Sequence, residues 1–397
     1  MKAYALNFRG LIAPALTVGI DDPKFVLSEF FRNWPYEVAP PGGSRPFATL
    51  VFNGEQYFLK TDKKPEPVAH KSLVNAVCDL IAAAGSQRAD ERPQEMCLHA
   101  AAVRIGQALV VFPAVRRAGK SSMAMALAAK GFEVFGDDVL PVASQPGAPA
   151  VGIAMGAPIR LRLPLPQGLP EWLTEHINTS QGPRNRQYLY VTPPEMASNG
   201  QEVPIGALVH LVREDNGATE LSSMSQGVML RSLLKQNFAR SATADHILAD
   251  LFGLAENTPA FTLRYSGIEH GVDALVDCFA SQISPLDNVR KREMQRISKI
   301  EKISSKPEIA LKQSSTALLR ELGGEVFATS QDLTRVLHLN EGAMRVWTLL
   351  AKPTSETEAV AILRTAFPAH PFNELQLDTQ KIFKELRHAG LVEVAGN

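Results

Sequence analysis

A Gly-Lys-Ser triplet and a pair of adjacent aspartates are the residues of this 397-residue chain best suited to phosphate chemistry. The triplet is Gly119, Lys120 and Ser121, and the aspartates are Asp137 and Asp138. Main-chain N–H groups of a tight turn, helped by a lysine, bind polyphosphates. A serine hydroxyl and carboxylates are ligands that Mg²⁺ accepts. The pattern therefore predicts a nucleotide site in which Ser121 and the two aspartates face a magnesium ion.

Three predicted elements position these side chains. The apolar run 108–112 indicates a buried strand, and the Ala, Met and Leu content of 121–130 indicates a helix that stops at Gly131. A second strand, 133–135, carries the aspartates at its end. Such a strand, loop and helix direct the positive end of the helix dipole toward one point, where an anion binds.

The loop departs from the phosphate-loop pattern G-x-x-x-x-G-K-[ST]. In the window AVRRAGKS, Ala114 replaces the first glycine, and Arg116 and Arg117 replace the usual small residues. Alanine costs about 1 kcal/mol or more if that position needs a positive φ. The two arginine side chains either hold phosphate or point to solvent, and the sequence favours neither.

Other polar residues are weaker candidates. His99, just before the loop, is interpreted equally well as a satisfied core histidine and as a site residue. Arg160 and Arg162 alternate with apolar residues as on a half-exposed strand, where they would bind a phosphate or a carboxylate or, as is favoured, form a solvated face. The segment 179–186 is predicted to be a polar loop.

Composition excludes several classes of protein. Lys plus Arg equals Asp plus Glu at 41 each, so no overall charge attracts nucleic acid or an anionic membrane. The three cysteines lie far apart without metal-ligand spacing and are interpreted as buried hydrophobic residues. No apolar run approaches the roughly 20 residues of a membrane span, and no secretion signal is present. We predict a cytoplasmic protein with no membrane or nucleic-acid partner, and leave open whether it forms a homo-oligomer.

The length predicts several domains. Residues 1–90 form a small α+β module with a hairpin at Asn53-Gly54 and a helix over 72–84, followed by a polar boundary strip at 85–94. Residues 91–285 form an α/β body. Residues 286–316 mix basic and acidic side chains without aromatic ones, which favours a solvated linker over a nucleic-acid arm.

The last predicted domain, 317–397, is winged-helix-like. Strands at 325–329 and 334–339 form a hairpin, and three helices follow at 341–350, 356–367 and 377–389. Two interpretations are a DNA-binding winged helix and a domain that accepts a peptide as an added strand. Acidic residues interrupt the basic residues of the third helix, so peptide binding is favoured.

Residues 97 to about 280 resemble the HPr kinase/phosphorylase family, in particular kinase-related members found among peptide-maturation genes. The resemblance rests on LHAAAV at 98–103, AGKSS at 118–122 and FGDDVLPV at 135–142. It implies a P-loop kinase body that uses ATP and Mg²⁺. It also implies that His99, Lys120 and Asp137 are catalytic, with Asp137 as the base, and that Ser121 and Asp138 bind the metal. The candidate cofactor-binding residues are Ala118, Gly119, Lys120, Ser121, Ser122 and, from the loop itself, Arg117.

Residues 317–394 look like the PqqD family of peptide-recognition domains. The resemblance rests on LHLNEGAMRVWTLL at 337–350 and LRHAGLVEV at 386–394. It implies that the leader of a ribosomally made precursor peptide binds as an extra strand on the hairpin edge, against the third helix. The candidate peptide-binding residues are Val336, His338, Phe383 and Leu386.

Together these features predict a kinase that phosphorylates a hydroxyl, of serine in the favoured case, on a ribosomally synthesised precursor peptide. The alternative is a catalytically impaired, nucleotide-binding scaffold or chaperone that presents the peptide to other maturation enzymes. A third interpretation keeps the nucleotide site but transfers to a small molecule, or transfers the nucleotide instead of a phosphate.

Overall fold

A computed structural model describes residues 1–113, 118–144, 148–238, 241–280 and 309–395. Ala114, Arg116 and Arg117 lie outside the described residues, as does most of the predicted linker. The chain is a mixed α/β protein with two compact units. The first contains the described residues up to 242 and from 253 to 280, and the second contains residues 243–252 and the described residues from 309 onward.

The first unit begins with a six-stranded sheet of order β3-β1-β2-β4-β5-β6 and a helix, α2. The elements are β1 (Ala3–Phe8), β2 (Ala15–Val18), α1 (Pro23–Ser28), β3 (Tyr36–Ala39), β4 (Ala48–Phe52), β5 (Tyr57–Thr61), β6 (Lys64–His70) and α2 (Leu73–Glu91). The predicted turn at Asn53-Gly54 joins β4 to β5, and Gly54 has a φ of 100°. Helix α2 packs its apolar face on this sheet, with Val77, Leu80 and Leu50 fully buried.

Helix α2 corrects one prediction, because the strip 85–94 is largely helical and not an irregular boundary. One side of this strip, with Gly85, Arg88 and Ala89, lies inside the protein. A Cβ at Gly85 would lie 2.7 Å from Val139 Cγ1, and the Arg88 guanidinium donates to the Glu95 carboxylate at 2.6 Å. The buried Arg88–Glu95 ion pair and the close contact of Gly85 with Val139 hold this part of α2 against the rest of the protein. The helix therefore continues past the end of its apolar stripe.

A second sheet carries the predicted phosphate-site elements. Its path is β10-β8-β9-β16-β12-β11-β7, with β18 also paired to β16 and β17 paired to β18. The elements are β7 (Glu95–Leu98), β8 (Ala101–Ile105), β9 (Ala108–Phe112), α3 (Lys120–Ala129), β10 (Glu133–Gly136), β11 (Leu140–Ala143), β12 (Val151–Ile153), β13 (Ile159–Arg162), α4 (Glu171–Thr179), β14 (Gln181–Arg184), β15 (Tyr188–Val191), β16 (Glu202–Arg213), β17 (Glu220–Ser223), α5 (Gln226–Gln236), α6 (Ala244–Asn257), β18 (Ala260–Tyr265) and α7 (Ile268–Phe279). Strand β16 runs parallel to β9 and to β18, so the carboxyl ends of all three lie at one edge of the sheet.

A small third sheet, of order β13-β15-β14, corrects the loop predicted at 179–186. Residues Gln181 to Arg184 form a strand because they pair with β15, with Gln181 opposite Val191 and a register shift before Arg184. The polar composition that indicated a loop is that of an edge strand, which has one solvated side.

Besides residues 244–252 of α6, the described part of the second unit contains a three-stranded sheet, a strand pair and three further helices. Its elements are β19 (Leu311–Gln313), β20 (Leu318–Leu322), β21 (Glu325–Thr329), β22 (Val336–Leu339), α8 (Glu341–Leu349), α9 (Glu356–Ala366), α10 (Phe372–His388) and β23 (Val392–Val394). The predicted hairpin is β21 and β22, and β20 adds a strand that the sequence analysis did not identify. Helix α10 begins at Phe372, directly after Pro371, instead of at Leu377. Among the described residues, no helix is long and apolar enough to cross a membrane.

Candidate functional site

Gly119 determines the shape of the chain where it enters α3. It has a left-handed φ of 92° and caps the helix that begins at Lys120. A Cβ at this position would lie 2.4 Å from the Tyr265 hydroxyl, which donates to the Ala118 carbonyl at 3.2 Å. Both the backbone angle and this close approach therefore require glycine.

Gly119→Ala is expected to lower the melting temperature of the first unit and to weaken nucleotide binding. The positive φ alone costs about 1 kcal/mol, and the Tyr265 contact adds to that cost. Gly131→Ala is the matched control, since Gly131 has a φ of 86° but no atom within 4 Å of an added Cβ. Thermal unfolding and calorimetric titration with ATP measure the two effects. If Gly119→Ala and Gly131→Ala lowered the melting temperature and the ATP affinity equally, the Tyr265 contact would have no role in either property.

Asp137 follows β10 and is buried, with 1% of its surface exposed. Its Oδ2 accepts a hydrogen bond from the Arg160 main-chain N–H at 3.0 Å, whereas its buried Oδ1 has no partner among the described residues. Burial, followed by the nearby Asp138 carboxylate, raises the pKa of Asp137 to about 6. Asp137 is thus a carboxylate that can accept a proton near neutral pH.

Asp138 is held by two side chains. Arg160 Nε lies 2.8 Å from Asp138 Oδ2, and His99 Nε2 lies 3.1 Å from Oδ1. Burial acts to raise the pKa of Asp138, but the His99 hydrogen bond and the Arg160 guanidinium outweigh it and lower that pKa. His99 therefore lies beside Asp138 in the candidate site, and its role there stays a prediction. The favoured interpretation of Arg160 as part of a solvated face is wrong, because its guanidinium pairs with Asp138 and its side chain is only 18% exposed.

A cavity of about 490 Å³ brings the candidate residues together. Its wall includes Ala118 to Ser122, His99 and Asp138, whereas the more deeply buried Asp137 does not line it. Arg117, the remaining candidate, lies outside the described residues. The structure adds Arg213, which the sequence analysis missed; it ends β16, and residues at the carboxyl ends of parallel strands are a recognisable signal for a ligand site.

The charges of this cavity fit a nucleotide with a divalent cation. Lys120 and Arg213 bring positive charge to the loop, which matches a polyphosphate. Among the described residues, no cluster of three or more His, Cys, Asp or Glu side chains is suited to hold a metal ion.

The second unit has a groove of about 440 Å³ between β22, α8 and α10. His338 and Leu386, two of the predicted peptide-binding residues, line it together with Ala343 and Ile382. Val336 lies on β22, while Phe383 is 5% exposed and belongs to the core of this unit, beneath the groove. Apolar side chains of α8 and α10 line the groove beside charged ones such as Arg345, Asp378 and Lys381, and residues of β22 border it.

Strand β22 has an edge suited to accept another strand. The Ser330 N–H donates to the Arg335 carbonyl at 2.9 Å, which is a hydrogen-bonded pair in the register that continues through β21 and β22. Because such pairs alternate along antiparallel strands, Val336 and His338 direct their main-chain groups away from β21. A peptide in extended conformation would find these groups available.

Residues 325–392 match the family model "Coenzyme PQQ synthesis protein D (PqqD)". Among solved structures, the Hpr(Ser) kinase/phosphatase from Coxiella burnetii matches at 13% identity with a TM-score of 0.24, over 46% of this chain and 92% of that protein. A search of curated proteins finds no match. The carboxyl-terminal part of this chain, over residues 325–392, is thus similar to PqqD.

Proposed function

We propose that this protein is an ATP- and Mg²⁺-dependent kinase of the HPr kinase type, with a P-loop body, that phosphorylates a serine hydroxyl of a ribosomally synthesised precursor peptide. The observation that carries the proposal is one cavity lined by Gly119, Lys120, Ser121 and Asp138, with Asp137 buried behind it. Phosphoryl transfer needs phosphate binding, charge neutralisation and a proton acceptor, and these residues supply all three.

The phosphate-binding part consists of the main chain at Ala118 to Ser122, the Lys120 ammonium group and, beyond the described residues, Arg117. Bound Mg²⁺ neutralises charge on the phosphates as transfer proceeds. Ser121 and Asp138 are the residues that would hold this ion, with His99 and Arg160 orienting the Asp138 carboxylate. The low pKa of Asp138 keeps it ionised, as a metal ligand must be.

Asp137 is the proposed base. The acceptor hydroxyl gives its proton to Asp137 while its oxygen bonds to the terminal phosphorus, the bridging oxygen–phosphorus bond breaks, and ADP leaves. Two observations support this role: burial raises the pKa of Asp137, and its buried Oδ1 has no hydrogen-bond partner among the described residues, although Oδ2 accepts from the Arg160 N–H.

The winged-helix-like second unit is proposed to hold the leader of the precursor peptide along β22. Its similarity to PqqD and the outward main-chain groups of Val336 and His338 support this assignment. Tethering the peptide in this way raises its concentration near the kinase site. Other peptide-maturation enzymes are proposed as further partners in the cytoplasm, with neither nucleic acid nor membrane required.

His338→Pro is expected to weaken leader binding about tenfold. Proline removes an N–H that points away from β21, so the hairpin keeps its own hydrogen bonds while the added strand loses one and meets the ring. His338→Ala is the control, since it removes the side chain that contacts Glu325 but keeps the N–H. Fluorescence anisotropy of a labelled leader peptide measures the affinity of both variants. Equal affinities for His338→Pro and the wild type would exclude strand addition at β22.

The direct test of function is mass spectrometry of a precursor peptide encoded beside this gene after incubation with the protein and MgATP. A gain of one phosphate on serine is the expected product. A gain of nucleotide would identify nucleotidyl transfer, and an unchanged peptide would contradict the kinase proposal.

A nucleotide-binding scaffold is the second candidate, and the pairing of Asp138 favours it. Arg160 and His99 already occupy both oxygens of this carboxylate, which a metal ion would have to share or displace. A scaffold binds ATP and leader peptide with normal affinity and transfers nothing, so the same incubation combined with calorimetry separates the two candidates.

A further inference from the structure

The leading α/β layer of the first unit supplies one wall of the nucleotide cavity, although its sequence shows no motif. His70 ends β6, and Asn75, Cys78 and Asp79 lie in the first turns of α2. All four line the same cavity as the loop at Gly119. This wall has no part in phosphate binding or metal binding as described above.

A series of contacts shows which residues follow one another along the cavity wall from the loop at Gly119 to α2. At the loop end, Arg213 is paired in register with Tyr265, whose hydroxyl bonds to Ala118. Asp138 comes next, bound to Arg160 at 2.8 Å, and the Arg160 guanidinium also contacts the Cys78 thiol. Arg160 therefore lies between the carboxylates and α2. An acceptor that approaches the carboxylates has its flanking groups at the α2 end.

Two neighbouring polar side chains, His70 and Asp79, lie at the α2 end of the cavity. The His70 side chain is 10% exposed, and its buried Nε2 has no hydrogen-bond partner among the described residues. It lies 3.5 Å from Asp79 Oδ2, and the Asp79 side chain is 50% exposed. A buried polar atom without a partner is uncommon in folded proteins and is consistent with a site that a ligand completes.

Charge indicates which ligand group this end accepts. Besides Asp138, Asp79 is the single carboxylate lining the described part of the cavity, and the Asp138 charge is already balanced by Arg160. Lys120, Arg162 and Arg213 also line the cavity and repel a cation from their own positions, which leaves Asp79 as the group that attracts one. A lysine or arginine beside the acceptor hydroxyl is therefore attracted to Asp79.

We propose that His70 and Asp79 form the acceptor subsite of the kinase and select a polypeptide segment with a basic residue beside its serine. This inference rests on the proposed function. It gives residues 1–90 a role in substrate choice, separate from the leader groove of the second unit.

The test uses the full-length protein with MgATP and peptide pools that have a fixed serine and one varied position on either side of it. The wild type is expected to phosphorylate pools with Lys or Arg about fivefold faster than pools with Asp or Glu, as a partly exposed ion pair allows. Asp79→Lys should reverse this preference and Asp79→Asn should abolish it. ATP affinity should change less than twofold in both variants. Glu66→Lys is the matched control, because Glu66 is an exposed acid on β6 outside the cavity wall.

The possible outcomes distinguish failure of the proposed acceptor subsite from failure of the proposed kinase activity. Transfer that shows no charge preference, or the same preference in the wild type and in Asp79→Lys, overturns the subsite and leaves the kinase intact. Binding of ATP by the wild type without transfer to any pool overturns the kinase proposal and the subsite together.

Discussion

Asp137→Asn is expected to bind ATP with the affinity of the wild type while phosphoryl transfer falls by about two to four orders of magnitude. The amide keeps the size of the side chain and can accept the Arg160 N–H hydrogen bond, but it cannot take the hydroxyl proton. Rapid-quench measurement of phosphopeptide, beside calorimetric titration with ATP, gives both quantities.

The pH dependence gives an independent signature of the same residue. The pKa of Asp137 is about 6, so lowering the pH through 6 protonates it and the wild-type transfer rate should fall. Because this folded-state pKa lies above the ordinary value, protonation favours folding at low pH and that benefit is lost as the pH rises through 6. Asparagine removes the ionised group, so the melting temperature of the variant at pH 7 should not fall.

Asp138→Asn is the companion variant. Loss of this carboxylate should raise the Mg²⁺ concentration needed for half-maximal transfer. Excess Mg²⁺ should restore part of the lost transfer rate. If Asp138→Asn abolished transfer at every Mg²⁺ concentration while Asp137→Asn retained it, the two aspartates would have exchanged roles.

Local patterns predicted the elements that carry the candidate phosphate site. The run 108–112 and the strand observed there have the same bounds, and the helix after Gly119 begins within one residue of its prediction. In the second unit, α8 and α9 start at the predicted residues, and the structure shows that the Asn340 side chain caps one and a capping box at Ser355 caps the other. These signals succeed because each depends on a few adjacent residues.

Tertiary contacts account for the errors. Nothing local shows that Arg88 pairs with Glu95 inside the protein, so the apolar pattern predicted the end of α2 at residue 84 instead of 91. The pairing of β14 with β15 and the extra strand β20 likewise depend on partners elsewhere in the chain.

The candidate site was predictable only in part for the same reason. A motif identifies Lys120 and Ser121, whereas the pairing of Arg160 with Asp138 and the approach of Asp79 to the cavity arise from the folded chain. The opposite pKa shifts of two adjacent aspartates come from their partners, and those partners are distant in sequence.

Lys120→Met is expected to weaken ATP binding about 10- to 100-fold, the worth of one charge-assisted hydrogen bond. Methionine keeps the apolar stem of this buried residue and removes its charge. Lys130→Met is the control: this lysine follows the same helix, and its Nζ lies 4.4 Å from the Trp172 ring centroid. ATP affinity within twofold of the wild type in Lys120→Met would mean that the loop does not bind the phosphates.

Lys120 also lowers the pKa of both aspartates through its charge. Removal of the lysine should therefore raise the pH below which the transfer rate falls. This pH dependence is measured with ATP at saturating concentration. A loss of affinity without this shift would place the lysine beside the phosphates but away from the base. Both effects together would place phosphate, lysine and proton acceptor in one electrostatic environment, which is what direct phosphoryl transfer to a hydroxyl requires.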